Sequence, residues 1–144
     1  MCSTSNLELV KSLGADKVID YTKEDFTKNS QTYDIIYDTV GKTTFAGCKN
    51  SLTENGLYLA GAGGLKAFVE MGWTAIAGGR KVIAGQAPEH KEDLIFLKEL
   101  VEAEEIKPVI DRTYPLEQMV EAHRYVDKGH KKGSLVITIS HDSD

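Results

Sequence analysis

Tyr33-Asp34-Ile35-Ile36-Tyr37-Asp38, closed by Gly41, is the stretch on which the fold turns. It is β-branched and aromatic, has no helical spacing, and ends at a glycine, which is the pattern of a short buried strand. Downstream, Phe45, Cys48 and Leu52 share one helical face, and Asn55-Gly56 reads as a turn. Leu57-Tyr58-Leu59-Ala60 is a second strand, running out into Gly61-Ala62-Gly63-Gly64. The stretch from Leu65 to Lys81 is open between a glycine-loosened helix and a long loop. Lys81-Val82-Ile83-Ala84-Gly85 is a third strand. Strands alternating with helices at this spacing imply parallel β-α-β units and an open α/β sheet.

Upstream, Ser5-Asn6-Leu7-Glu8 has capping-box spacing, with Leu9, Val10 and Leu13 helically spaced and Gly14 as the stop. Lys17-Val18-Ile19-Asp20-Tyr21 predicts a short strand, and Thr22 with Asp25 predicts the cap of a brief helix. Beyond the third strand, a helix is expected from Glu89 to about Glu105, with Leu94, Leu97, Leu100 and Val101 on one face. Pro108 ends that regime. Val109-Ile110-Asp111-Arg112 is extended, and Pro115 suits the first turn of a helix carrying Leu116, Met119, Val120 and His123 on one side. Gly129 stops that helix, and Leu135-Val136-Ile137-Thr138-Ile139 is the last strand.

Composition narrows the function classes. The chain has 144 residues, 41% hydrophobic and 27% charged, which suits one globular domain. A formal charge of −5 with no block of like charge disfavours nucleic acid and acidic membrane surfaces as partners. Cys2 and Cys48 make no disulfide framework, and the start of the sequence has no apolar signal core, so a free-thiol cytoplasmic protein is expected.

Several short motifs are decoys. Gly41-Lys42-Thr43 ends like a P-loop, but Ile36 stands where that loop needs its first glycine. Gly61-Ala62-Gly63-Gly64 begins like a dinucleotide fingerprint, yet Lys66 takes the place of the third glycine. His90, His123, His130 and His141 have no metal-ligand spacing, and His123 is expected to be a half-buried helix residue. No Gly-x-Ser-x-Gly elbow supports hydrolase chemistry.

Taken in order, a set of short runs resembles the medium-chain dehydrogenase/reductase superfamily in its quinone oxidoreductase-like branch. They are Leu13-Gly14-Ala15-Asp16, Val18-Ile19-Asp20-Tyr21, Tyr37-Asp38-Thr39-Val40-Gly41 and Gly56-Leu57-Tyr58-Leu59-Ala60-Gly61. Ile106-Lys107-Pro108-Val109-Ile110, Tyr114-Pro115-Leu116-Glu117, Glu121-Ala122-His123 and Gly129-His130-Lys131-Lys132-Gly133 complete the series. The resemblance implies an incomplete Rossmann-like parallel sheet lacking the first strand and its glycine-rich loop, plus a C-terminal strand-helix-strand segment. Residues 1–105 would be the partial NAD(P)-binding domain, and 106–144 the segment that returns to the catalytic domain.

The same resemblance implies a nicotinamide cofactor, NADP in preference to NAD, with no zinc in this portion and no catalytic side chain. Ser3, Thr4, Ser5, Asn6 and Tyr21 would meet the adenosine ribose and its phosphate. Val40 and Gly41 would approach the nicotinamide-side ribose, and Ala60 and Gly61 the carboxamide; Asp38 reads as a structural strand-end residue. The implied activity is hydride transfer to a quinone, enone or carbonyl compound, weak or absent in this chain alone. The alternative is a non-catalytic remnant that folds and self-associates through sheet edges, with a homodimer as the expected assembly. Loss of the first strand predicts a repaired edge, with Val18-Ile19 beside Ile35-Ile36 or a second copy in its place.

Overall fold

The computed structural model describes residues 1–85 and 90–139, and these fall into two compact units, Met1–Pro88 and Glu89–Asp144. In the first, β1 (Tyr33–Asp38), β2 (Leu52–Ala60) and β3 (Lys81–Ala84) form a parallel sheet in that order. The connections run through α2 (Phe45–Cys48) and α3 (Leu65–Ala77), so the α/β architecture expected from the strand-helix rhythm is present. The open question at Leu65–Lys81 resolves as a 13-residue helix that tolerates Gly72.

One face of this sheet makes the core. Along β2, Gly56, Tyr58 and Ala60 are buried at alternate positions, the period of a strand. They pack with Ile19, Phe26, Cys48, Leu52, Ala67, Val82 and Ala84, and Met71 of α3 closes over them. The outer amides of β3 are also taken by α3, since Val82 N donates to Thr74 Oγ1 at 3.1 Å and Ala84 N to Met71 Sδ at 3.4 Å. The opposite face is open: Ile35, Tyr37 and Ile83 are 59%, 62% and 52% exposed. Parallel sheets are ordinarily covered on both sides, so this face is unusually bare.

Local expectations were corrected where tertiary geometry prevailed. The cap of α1 (Leu7–Ser12) falls on Asn6 rather than Ser5, because residues 4–6 already wind into a 3-10 turn. The helix expected at Thr22 is a single 3-10 turn at Phe26–Lys28, capped by Asp25 accepting from Thr27 N. Asn55-Gly56 is no turn. It lies inside β2 where the register slips between Tyr33 and Ile35, so a bulge absorbs it.

The predicted strand at Lys17–Tyr21 shrinks to one parallel bridge between Asp20 and Cys2, with Cys2 N donating to the Ile19 carbonyl and Tyr21 N to the Cys2 carbonyl. Val18-Ile19 therefore does not repair the β1 edge. Among the described residues, β1 is paired on one side only.

The second unit contains α4 (Lys91–Glu102), β4 (Ile110–Pro115), α5 (Met119–Asp127) and β5 (Ser134–Thr138), with β4 and β5 parallel. Pro115 ends β4 instead of opening the helix, which starts one residue later as a 3-10 turn. The helix expected from Glu89 begins at Lys91; Glu89 itself, like His141, lies outside the described residues. No residue of α4 is buried, and Leu94 is 70% exposed. His123 is exposed rather than half-buried, because Ala122 is the α5 residue turned inward. Asp111 ties this unit together by accepting from Tyr125 OH and Lys132 N, both at 2.8 Å. Arg112 lies 4.0 Å over the Tyr125 ring.

Candidate functional site

Two of the expected site groups are assembled, at different places in the first unit. Val40, Gly41, Ala60 and Gly61 come together because β1 and β2 are parallel neighbours, with Asp38 opposite Ala60. Both turns leave the carboxyl ends of their strands, where ligands bind in open α/β sheets. Gly41 holds φ at +73°, and a Cβ there would meet the Ala62 carbonyl at 3.2 Å. A Cβ on Gly61 would press on the Tyr37 ring at 2.8 Å. Glycine at position 41 is thus favoured by the chain's own geometry, whereas a side chain at 61 would need the exposed Tyr37 ring to shift.

Asp38 organises the first turn. Its Oδ1 accepts from Val40 N at 3.0 Å and Gly41 N at 2.8 Å. Its Oδ2 accepts from Thr43 N at 2.8 Å, Thr43 Oγ1 at 2.7 Å and the Tyr58 hydroxyl at 3.2 Å. Partial burial opposes ionisation, but the Thr43, Val40 and Gly41 donors outweigh it and hold the carboxyl far below the usual range. Burial pushes the neighbouring Tyr58 hydroxyl and Cys48 thiol up, so both stay protonated at neutral pH. The structural reading of Asp38 fits these bonds. Thr43 and Tyr58 were not singled out beforehand, since their pairing with Asp38 depends on strand register that no spacing rule reveals.

A cleft of about 130 Å³ adjoins these turns, lined in part by Asp38, Gly41, Thr43, Tyr58, Gly63 and Lys66. Small-molecule pockets usually enclose roughly 300–1,000 Å³. This cleft is therefore smaller than a usual small-molecule pocket, whereas a second one of about 550 Å³, lined in part by Phe45, Lys49, Trp73 and Arg80, lies within that range. Lys66 Nζ stands 3.8 Å from Glu70 Oε1, one turn along its own helix, and the lysine remains largely exposed.

Ser3, Thr4, Ser5, Asn6 and Tyr21 form the other group, held by the Cys2–Asp20 bridge. Buried Asp20 accepts from Thr4 Oγ1 at 2.5 Å, and from Thr22 Oγ1 at 2.7 Å and Thr22 N at 3.0 Å. The Thr22 and Thr4 hydroxyls keep its carboxyl below the usual value. Ser3 and Ser5 hydroxyls lie 3.1 Å apart, and Tyr21, whose N–H donates to the Cys2 carbonyl, is 60% exposed. Among the described residues no three His, Cys, Asp or Glu side chains are grouped to hold a metal ion. No helix among them is long and apolar enough to cross a membrane.

A family model described as zinc-binding dehydrogenase matches residues 13–137. The chain belongs to that family. This places it in the medium-chain dehydrogenase/reductase superfamily. It is 35% identical over 137 residues to a 2-methylene-furan-3-one reductase of Solanum lycopersicum, covering 94% of this chain and 31% of that protein. It is 30% identical over 137 residues to a chloroplastic NADPH-dependent alkenal/one oxidoreductase of Arabidopsis thaliana, covering 94% and 32%. The quinone oxidoreductase of Coxiella burnetii superposes with a TM-score of 0.74 at 27% identity, covering 96% of this chain and 43% of that one. The zinc-binding dehydrogenase segment described here thus spans about a third to two fifths of the proteins it matches.

Proposed function

We propose that this chain is part of an NAD(P)H-dependent oxidoreductase that transfers hydride to a quinone, enone or carbonyl substrate. The observation that carries the reading is the meeting of the Val40-Gly41 and Ala60-Gly61 turns at the carboxyl ends of adjacent parallel strands. The reductase names of its relatives agree with it. In this reading the nicotinamide supplies the hydride when bound, and the protein supplies position. Val40, Gly41, Ala60 and Gly61 orient the nicotinamide half, while Ser3, Thr4, Ser5, Asn6 and Tyr21 face the adenosine ribose, with NADP preferred to NAD. Residues 1–105 serve as the cofactor-binding part and 106–144 as the segment returning to a catalytic domain.

These 144 residues contain no complete Gly-x-Gly-x-x-Gly loop of the kind that holds a pyrophosphate; the run from Gly61 to Gly64 joins β2 to α3 but has Lys66 in the third glycine's place. Calorimetric titration with NADPH and NADH is therefore expected to give a dissociation constant no tighter than about 1 mM. The backbone resonances of Val40, Gly41, Ala60 and Gly61 should be among those that move. Micromolar binding would overturn the expectation of weak affinity. NADPH raised until other resonances move, with these four unmoved, would count against the oxidoreductase reading itself.

A second reading, self-association as a homodimer, has its own observation. The β3 edge is blunted by Thr74 and Met71, but β1 is paired on one side and carries exposed Ile35 and Tyr37. Light scattering of the wild-type chain should then give twice the monomer mass, and Ile35→Lys with Tyr37→Lys should return it to one. A wild-type monomer at high micromolar concentration would dispose of this reading.

A further inference from the structure

The cleft of about 550 Å³ opens at the amino ends of β2 and β3, away from the turns that follow β1 and β2. It lies between the bulged start of β2, at Glu54-Asn55, and the end of α3, at Trp73 and Ala77. Gly78 and Gly79 lead from α3 to β3 with φ of +72° and +74°, and they put no side chain into the space. Two aromatic groups border it. Trp73 is 74% exposed, and Phe45 packs on Tyr58 with ring centroids 6.1 Å apart.

The charged lining is cationic on balance. Arg80 is half-buried, and its Nε donates to the Leu52 carbonyl at 3.0 Å, which holds the guanidinium in place. Among the described residues neither Arg80 nor Lys49 makes an ion pair, so the terminal –NH2 groups of Arg80 and the Lys49 ammonium are open to a ligand. Against these two cations stand Glu54 and the end of α3, whose last carbonyls carry a partial charge of about −0.5. The sum remains positive. A fixed guanidinium fork matches a planar carboxylate, and a ring matches the aromatic walls.

We propose that this cleft binds a flat aromatic ring carrying a carboxylate, with the ring against Trp73 and Phe45 and the carboxylate on the Arg80 fork. Lys49 adds charge at the mouth. The cleft stands apart from the Val40-Gly41 and Ala60-Gly61 turns, so its occupation is independent of the nicotinamide reading.

Trp73 is the chain's single tryptophan, so its indole N–H resonance reports on this cleft alone. The whole 144-residue chain is titrated with benzoate, with benzamide, which keeps the ring and removes the charge, and with cyclohexanecarboxylate, which keeps the charge and removes the flat ring. Benzoate is expected to move the indole signal with a dissociation constant on the order of 1 mM, about tenfold tighter than either analogue. Arg80→Gln should reduce the preference for benzoate over benzamide to about twofold or less, and Lys49→Gln should reduce it by a smaller factor. The Val40 and Gly41 amides should not move.

An indole signal unmoved by benzoate at about twenty times that constant overturns the proposal. Equal affinity for benzoate and benzamide does so too, as does equal affinity for benzoate and cyclohexanecarboxylate. Movement of Val40 and Gly41 in step with Trp73 would also overturn it, by placing the ligand at the other cleft. An unchanged preference in Arg80→Gln removes the fork on which the proposal rests. Should that variant fail to fold, Lys49→Gln at its exposed position decides: a reduced preference supports the site, and an unchanged one overturns it.

Discussion

Asp38→Ala is expected to lower the unfolding free energy by about 2–4 kcal/mol, because it strands several donors at once. Val40 N and Gly41 N lie at the surface and can turn to water. Thr43 N, Thr43 Oγ1 and Tyr58 OH are part-buried and cannot do so freely. The loss should therefore exceed that of Thr43→Val, which removes one of these bonds. Denaturant unfolding of the two variants beside wild type measures the difference, and equal midpoints would show that water replaces the carboxylate at little cost.

The same site predicts a pH dependence. The folded-state pKa of Asp38 is depressed below its unfolded value of about 3.9. Its contribution is then full above about pH 4 and is lost as pH falls through the folded value. Between neutral pH and about pH 5 the carboxylate is ionised in both states, so the gap between wild type and Asp38→Ala should stay constant. Below about pH 4 it should close as the wild type loses its advantage. A gap that widened in acid would contradict this assignment.

Leu52→Ala should cost about 3–5 kcal/mol, enough to leave little cooperative folding in a small unit. Leu52 is fully buried, and with Cys48 it is the largest side chain so enclosed among the described residues. It stands at the entry of β2 opposite Tyr33, and its carbonyl accepts from Arg80 Nε at 3.0 Å. Truncation leaves a cavity under a one-sided sheet whose own backbone pairing fixes the walls. Leu52→Met, which keeps the volume, should cost less than about 1.5 kcal/mol. Leu94→Ala, on the exposed side of α4, should fall within about 0.5 kcal/mol of wild type. Urea titrations followed by far-ultraviolet circular dichroism would rank the three; a Leu94 effect equal to that of Leu52 would mean that α4 is packed in solution.

Much of the fold was legible before any coordinates. The β1 boundaries, the β3 strand and the parallel α/β class follow from β-branched runs spaced by helical segments. The turns at Val40-Gly41 and Ala60-Gly61 were also foreseeable as a pair, since parallel strands place their carboxyl ends side by side. Short polar signals fared worse. Ser5 and Thr22 both have cap chemistry, but the Cys2–Asp20 bridge set where the chain could turn, and the caps moved to Asn6 and Asp25.

The sequence by itself determined the alternation of strand and helix and the glycines that follow β1, β2 and β3, because side-chain shape and backbone freedom act locally. Tertiary structure alone decided that Asn55-Gly56 is a bulge and that Thr43 and Tyr58 meet on Asp38. It also decided that one face of the sheet stays bare. These depend on register and on which surfaces find a partner, and both are properties of segments far apart in the chain. A turn that reads as flexible glycine is in fact held by one carboxylate.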